Sequence, residues 1–212
     1  MKDKKEIIKY KFMLLGDSQV GKSAIFHKLA KDEFLETNVS TQGQDHIEIY
    51  FNDLEIDING VKENKCFDIT LFDTAGQERF RSVTTNFVKH ADGIILIYDI
   101  TSRNSFDHVD EWLSSIKENH DISNYLIMLL GNKLDLVDED ETLRKVSIEE
   151  ENKYENKYIM IGGECSAKSF PKSQIENLLK NFTVHLYNKI GNNANKNKKL
   201  QIRPKQKTTN CC

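Results

Sequence analysis

The eight residues Gly16-Asp17-Ser18-Gln19-Val20-Gly21-Lys22-Ser23 constrain this chain more than any other stretch. They fit the pattern G-x-x-x-x-G-K-[ST], a loop whose successive backbone N–H groups close around a nucleotide's phosphates. Its two glycines allow main-chain conformations that a Cβ would forbid. Lys22 would reach the β- and γ-phosphates as a point charge. The Ser23 hydroxyl would be a ligand for Mg²⁺, a hard cation that prefers oxygen. Such a loop needs a strand before it and a helix behind it. Tyr10-Lys11-Phe12-Met13-Leu14-Leu15 reads as a short buried strand, and residues 23–30 as a helix with its N-terminus on the phosphates. A chance Gly-rich turn would need neither flank.

A chain of 212 residues has room for one domain with a sizeable core. The net charge of −3 gives no case for nucleic-acid binding by bulk electrostatics. The apolar runs at residues 93–98 and 125–130 are too short to span a bilayer. No apolar signal-peptide core follows the charged start, Met1-Lys2-Asp3-Lys4-Lys5, so a protein kept in the cytosol is expected. Cys66 and Cys165 are isolated and read as packed thiols of a reducing compartment, and the other two cysteines adjoin at positions 211 and 212. The six histidines show no ligand spacing, and no zinc site is expected.

Along the chain, short apolar runs alternate with longer amphipathic ones, which implies a mainly parallel sheet with helices on both faces. The expected strands are residues 10–15, 46–51, 67–72, 93–98, 125–130 and 158–161. The second and third form a hairpin whose tip, residues 52–66, is lengthened around the turn signal Asn59-Gly60. That tip reads as a surface insertion, tolerated at modest entropic cost. Residues 31–45, which include Thr41, are polar and read as a loop. A helix starting near Ser102 or Asn104 places Phe106, Val109, Trp112, Leu113 and Ile116 on one face, as core. A last helix, from about Lys172 to Ile190, would bury Ile175, Leu178, Leu179, Phe182 and Leu186. Asp138-Glu139-Asp140-Glu141 reads as a solvated loop.

A phosphate loop alone does not separate kinases, ATPases and GTPases. Three further clusters do. In Asp73-Thr74-Ala75-Gly76-Gln77-Glu78 the first acid can hold a Mg²⁺-bound water, Gly76 can offer its N–H to the γ-phosphate, and Gln77 can orient an attacking water. In Asn132-Lys133-Leu134-Asp135 the last carboxylate can accept from guanine N1–H and N2–H₂. Adenine lacks that donor pair and would leave a buried Asp135 unpaired. In Ser166-Ala167-Lys168 the Ala167 N–H can bond guanine O6.

Taken in order, these motifs resemble the small Ras-like GTPases, and within them the Rab family of membrane-traffic switches. The resemblance also rests on Ser40-Thr41 with Gly43, on Arg79-Phe80-Arg81-Ser82, on Tyr98-Asp99-Ile100-Thr101 with Ser105-Phe106, on Glu164 and on the terminal Cys211-Cys212. It implies an α/β P-loop NTPase (G-domain) fold: a six-stranded, mostly parallel sheet with helices on both faces, over residues 1–190. It implies that Gly16, Asp17, Ser18, Gln19, Val20, Gly21, Lys22, Ser23 and Ala24 wrap the phosphates, with Gly76 on the γ-phosphate. Phe34, Asn132, Lys133, Asp135, Ser166, Ala167 and Lys168 would surround the guanine. Ser23, Thr41 and, through water, Asp73 would hold Mg²⁺. Lys22, Thr41, Gly76 and Gln77 would act in GTP hydrolysis, with no covalent intermediate. Implied partners are effectors on two switch regions, an exchange factor, a GTPase-activating protein, a Rab escort protein with geranylgeranyl transferase, and a GDP-dissociation inhibitor.

Departures from the family pattern are local. Thr41-Gln42-Gly43-Gln44-Asp45-His46 stands where Thr-Ile-Gly-Val-Asp-Phe is usual, Phe72 replaces a tryptophan, and Phe87-Val88 replaces a tyrosine pair. Gln19 holds a loop position that is more often small. The last stretch, residues 191–212, carries Lys196, Lys198, Lys199, Arg203, Lys205 and Lys207 with no acid after Glu176, and reads as a disordered basic tail. Its Cys211-Cys212 ending resembles a double geranylgeranylation signal, which implies the cytoplasmic face of an intracellular membrane and a cytosolic pool. The function implied is a switch that cycles between GDP and GTP in vesicle traffic. The alternative is a GTP-binding scaffold with negligible hydrolysis that presents its switches to effectors.

Overall fold

The computed structural model describes residues 6–34, 44–58, 60–74, 88–158 and 160–201. Its strands are β1 (Ile7–Leu15), β2 (Gln44–Ile58), β3 (Val61–Thr74), β4 (Gly93–Asp99), β5 (Leu126–Asn132) and β6 (Ile161–Glu164). They form one sheet in the order β2-β3-β1-β4-β5-β6. Only the β2–β3 pair is antiparallel, and the other pairings are parallel. The helices are α1 (Lys22–Lys31), α2 (Arg103–Asp107), α3 (Val109–Asn119), α4 (Leu134–Glu139), α5 (Ile148–Tyr158) and α6 (Lys172–Gln201).

Every residue of β4 and of β5 is buried, as expected of parallel strands covered on both faces. The alternation along β1 shows the two layers directly. Phe12 and Leu14 enter one core with Ile25 and Leu29 of α1 and Phe182 of α6. Met13 and Leu15 enter the other with Phe106, Trp112, Leu113 and Ile116. The helical stripe read from the sequence is therefore core, split between α2 and α3. No described helix is long and apolar enough to cross a membrane.

Three elements differ from expectation. The hairpin is lengthened as expected, but its extension is strand rather than loop: β2 and β3 pair from Gln44↔Thr74 out to Ile58↔Val61, with one bulge between Phe51 and Leu54. Leu54, Ile56 and Ile58 alternate with acids, and Ile56 is wholly buried in the α1/α6 core. The sixth strand lies at 161–164 rather than 158–161, because Tyr158 ends α5. Glu151 is the one fully buried residue of that helix, so no apolar stripe marks it in the sequence, although three acids, Glu149, Glu150 and Glu151, fill its first turn and favour the positive end of a helix dipole. The last helix runs on to Gln201 rather than ending near Ile190, with no proline between Lys172 and Pro204 to stop it. The acid run 138–141 is shared between the end of α4 and a 3-10 turn, Glu141–Leu143.

Parallel order brings the C-terminal ends of β1, β3, β4, β5 and β6 to one rim of the sheet. At such a rim, outside the carboxyl ends of the strands, open α/β sheets hold their ligands.

Candidate functional site

The loop from β1 to α1 holds three residues in the left-handed region: Gly16 at φ 136°, Gln19 at 66° and Gly21 at 99°. A Cβ on Gly16 would stand 2.1 Å from the Ile97 carbonyl oxygen, and one on Gly21 would stand 2.1 Å from Asn132 Nδ2. Both glycines are thus required by close approach as well as by φ. Gln19 takes the same region without that freedom. Lys22 begins α1 and is 5% exposed. Its ammonium donates to the Gly16 carbonyl at 3.0 Å and to the Asp17 carbonyl at 2.6 Å. Burial pushes Lys22 down to about 8, against the upward pull of Asp73 and Asp17. A phosphate in the loop would supply the negative charge that restores its full ionisation.

Ser23 Oγ donates to Asp73 Oδ2 at 2.6 Å, joining the first turn of α1 to the end of β3. Burial raises the Asp73 carboxyl, while Ser23, Lys22 and His27 pull it down. A hydroxyl and a carboxylate side by side are hard oxygen donors, and such a set fits Mg²⁺. Among the described residues no three His, Cys, Asp or Glu come together as a metal cluster. Thr74 next door fixes the strand end, its hydroxyl donating to the Leu14 carbonyl at 2.7 Å.

The base side is organised by Asn132, the last residue of β5. Its Nδ2 donates to the Val20 carbonyl at 2.9 Å, and its Oδ1 accepts from the Ala167 N–H at 3.1 Å and the Cys165 thiol at 3.6 Å. One side chain thereby ties the phosphate loop to both base loops. The Ala167 N–H, read above as the donor to guanine O6, meets Asn132 in this structure. Asp135 is 9% exposed and accepts from Ser166 Oγ at 2.6 Å. Ser166 in turn caps its loop by accepting from the N–H groups of Lys168 and Ser169. Lys133 is left-handed at φ 72°, and its ammonium sits 2.6 Å from Asp99 Oδ2. Phe34, the expected aromatic neighbour of the base, is exposed.

Two sets of contacts have no contiguous motif behind them. Asp17 is gripped by Trp112 Nε1 at 2.9 Å and by His108 Nδ1 at 2.5 Å. Arg144 makes a two-pronged bond to Glu164, at 2.5 and 2.9 Å, directly before the Cys165-Ser166-Ala167-Lys168 loop. Sequence offered no signal for either, since the partners lie far apart in the chain. Of the substituted switch residues, His46 pairs with Phe72 across β2 and β3, rings 5.7 Å apart. Thr41, Gln42, Gly76, Gln77, Phe87, Cys211 and Cys212 lie outside the described residues.

The family model described as "Ras family" matches residues 11–188. The Ras-related protein Rab-13 of Bos taurus is 41% identical over 160 residues, covering 76% of this chain and 72% of that protein. RABA4a of Arabidopsis thaliana is 36% identical and Rab11A of Lotus japonicus 37%, each over 179 residues, 84% of this chain and 72% of the relative.

Proposed function

Because the chain belongs to the Ras family and is a Rab-type small GTPase, we propose that residues 16–24, Phe34, Asn132, Lys133, Asp135, Ser166, Ala167 and Lys168 form its guanine-nucleotide site. The protein binds GTP and GDP, hydrolyses GTP and acts in vesicle trafficking. The observation that carries the site assignment is Asn132, which links the phosphate loop and the base loops into one frame. With base present, Ala167 N–H would turn from Asn132 to guanine O6, and Asp135, held from behind by Ser166, would accept from N1–H and N2–H₂.

In hydrolysis Lys22 would leave the carbonyls of Gly16 and Asp17 for the phosphates. Gly76 would donate its N–H to the γ-phosphate, and Gln77 would orient the attacking water. Ser23, Thr41 and, through water, Asp73 would hold Mg²⁺, which when bound offsets charge building between the β- and γ-phosphates. Positioning and charge stabilisation then do all the work, and turnover is slow until an activating protein supplies further positive charge. With Gln77, Thr41 and Asp73 all present, hydrolysis is favoured over a scaffold that only binds GTP.

The finer assignments follow from the same reading. Residues 1–190 would form the G domain, and 191–212 a basic tail that ends in Cys211 and Cys212 as prenylation sites. Effectors would dock on the switches, and an exchange factor, an activating protein, an escort protein with its transferase and a dissociation inhibitor would serve the cycle. The protein would work on the cytoplasmic face of an intracellular membrane, with a cytosolic pool. Nucleotide competition tests the core of the proposal: Asp135→Asn should weaken GTP and favour xanthine nucleotides, because an amide can donate to a 2-oxo group. ATP competing equally with GTP for the wild-type chain would sink it.

A further inference from the structure

Asp17 is the second residue of the phosphate loop, and its two ends do different things. The carbonyl accepts from Lys22 at 2.6 Å. The carboxylate is held from outside the loop, Oδ1 by Trp112 Nε1 at 2.9 Å and Oδ2 by His108 Nδ1 at 2.5 Å. A carboxylate only accepts, so the imidazole proton sits on Nδ1. Trp112 is 1% exposed, and packing in the second core fixes where its indole N–H points. The donors are thus aimed by α3 and the residue before it, not by the loop.

We propose that Trp112 and His108 are positioning residues that clamp the phosphate loop through Asp17, and thereby set how fast a bound guanine nucleotide leaves. Two physical reasons support this. First, the loop carries a left-handed Gln19 between two left-handed glycines, a conformation that persists only where the surroundings over-determine it. A loop held from the side has less freedom to lose on binding phosphate and less to regain on release. Second, Asp17 brings a like charge to a site built for phosphates. Two donors on its oxygens offset part of that charge.

The inference rests on the nucleotide-site assignment above, and release of a fluorescent GDP analogue from the full chain separates the two. Trp112→Phe keeps the aromatic body and deletes the N–H. Its release should be about tenfold faster, the loss of one hydrogen bond to a charged group. His108→Ala removes the second donor, and 37% side-chain exposure makes the truncation safe for folding. Its release should be several-fold faster than wild type. Asp17→Asn combined with Trp112→Phe should release no faster than the faster of the two single variants, because both break the same contact. Release within twofold of wild type in Trp112→Phe or in His108→Ala overturns the clamp. A wild-type chain that binds no GDP overturns both proposals.

Discussion

Glu151→Gln should stabilise this protein in neutral and alkaline solution, and hardly at all in acid. Glu151 sits on α5 at 4% exposure, and its Oε1 accepts from the Gly163 N–H at 3.1 Å. Burial, then the carboxylates of Glu164 and Glu155, push it from its ordinary 4.5 up to about 7; the Gly163 N–H and Arg144 pull the other way. Arg144 gives little relief because both its prongs are on Glu164. The sign follows from proton counting. Below about 4.5 the folded and unfolded chains both carry the proton, and the site costs nothing. Between about 4.5 and 7 the unfolded chain gives it up while the folded chain keeps it, so stability falls as pH rises. Each pH unit is worth about 1.4 kcal/mol, and above pH 7 the native state bears a penalty of roughly 3 kcal/mol. Glutamine removes the titration and can still accept from Gly163. Urea unfolding of both proteins, with saturating Mg²⁺ and GDP so that ligand stabilisation is shared, should show a difference near zero at about pH 4.5 that grows to roughly 3 kcal/mol by about pH 8. A difference that stays constant across that range would refute the buried-carboxylate account.

The remaining predictions concern turnover, the hairpin and the membrane. Gln77→Leu should slow single-turnover GTP hydrolysis by one or more orders of magnitude while GTP affinity changes little, because it removes water orientation and no phosphate contact; unchanged hydrolysis would favour a non-hydrolysing scaffold. Ile56→Ala should cost about 2–4 kcal/mol in urea unfolding, as for a fully buried aliphatic, whereas Glu55→Ala, whose partner Lys62 is exposed, should cost under about 1 kcal/mol; equal effects would return the hairpin end to the status of surface decoration. Cys211→Ser with Cys212→Ser should leave GDP binding intact and move the protein wholly into the cytosolic fraction, since stable anchoring needs two signals; membrane pelleting of the double variant would mean another anchor.

What could be read from the sequence is what is local in the chain. The phosphate loop is eight consecutive residues whose conformation follows from its glycines and its strand and helix flanks, so motif and geometry are nearly the same statement. Asn132 and Asp135 are legible for the same reason: Asn132 ends a buried strand at the rim and Asp135 follows in the first turn of α4. β6 lies past the apolar run that suggests it, because Gly162-Gly163 has no intrinsic strand preference and is a strand only through its register with β5, Met128↔Ile161 onward. The strand character of the hairpin's extension is masked by composition. Its charges hid a period of two, Leu54-Glu55-Ile56-Asp57-Ile58, that is itself a strand signal. The Asp17 clamp and the buried Glu151 were beyond reach, being side-chain meetings across 91 and 12 residues that only the packed helices create. Both lie behind the motif residues rather than among them. There Gln19 needs a support that glycine would not, and Gly163 offers the backbone N–H that a buried acid accepts. If the Asp17 clamp holds, nucleotide release rests on such a support as much as on the motif residues, just as pH-dependent stability rests on Glu151.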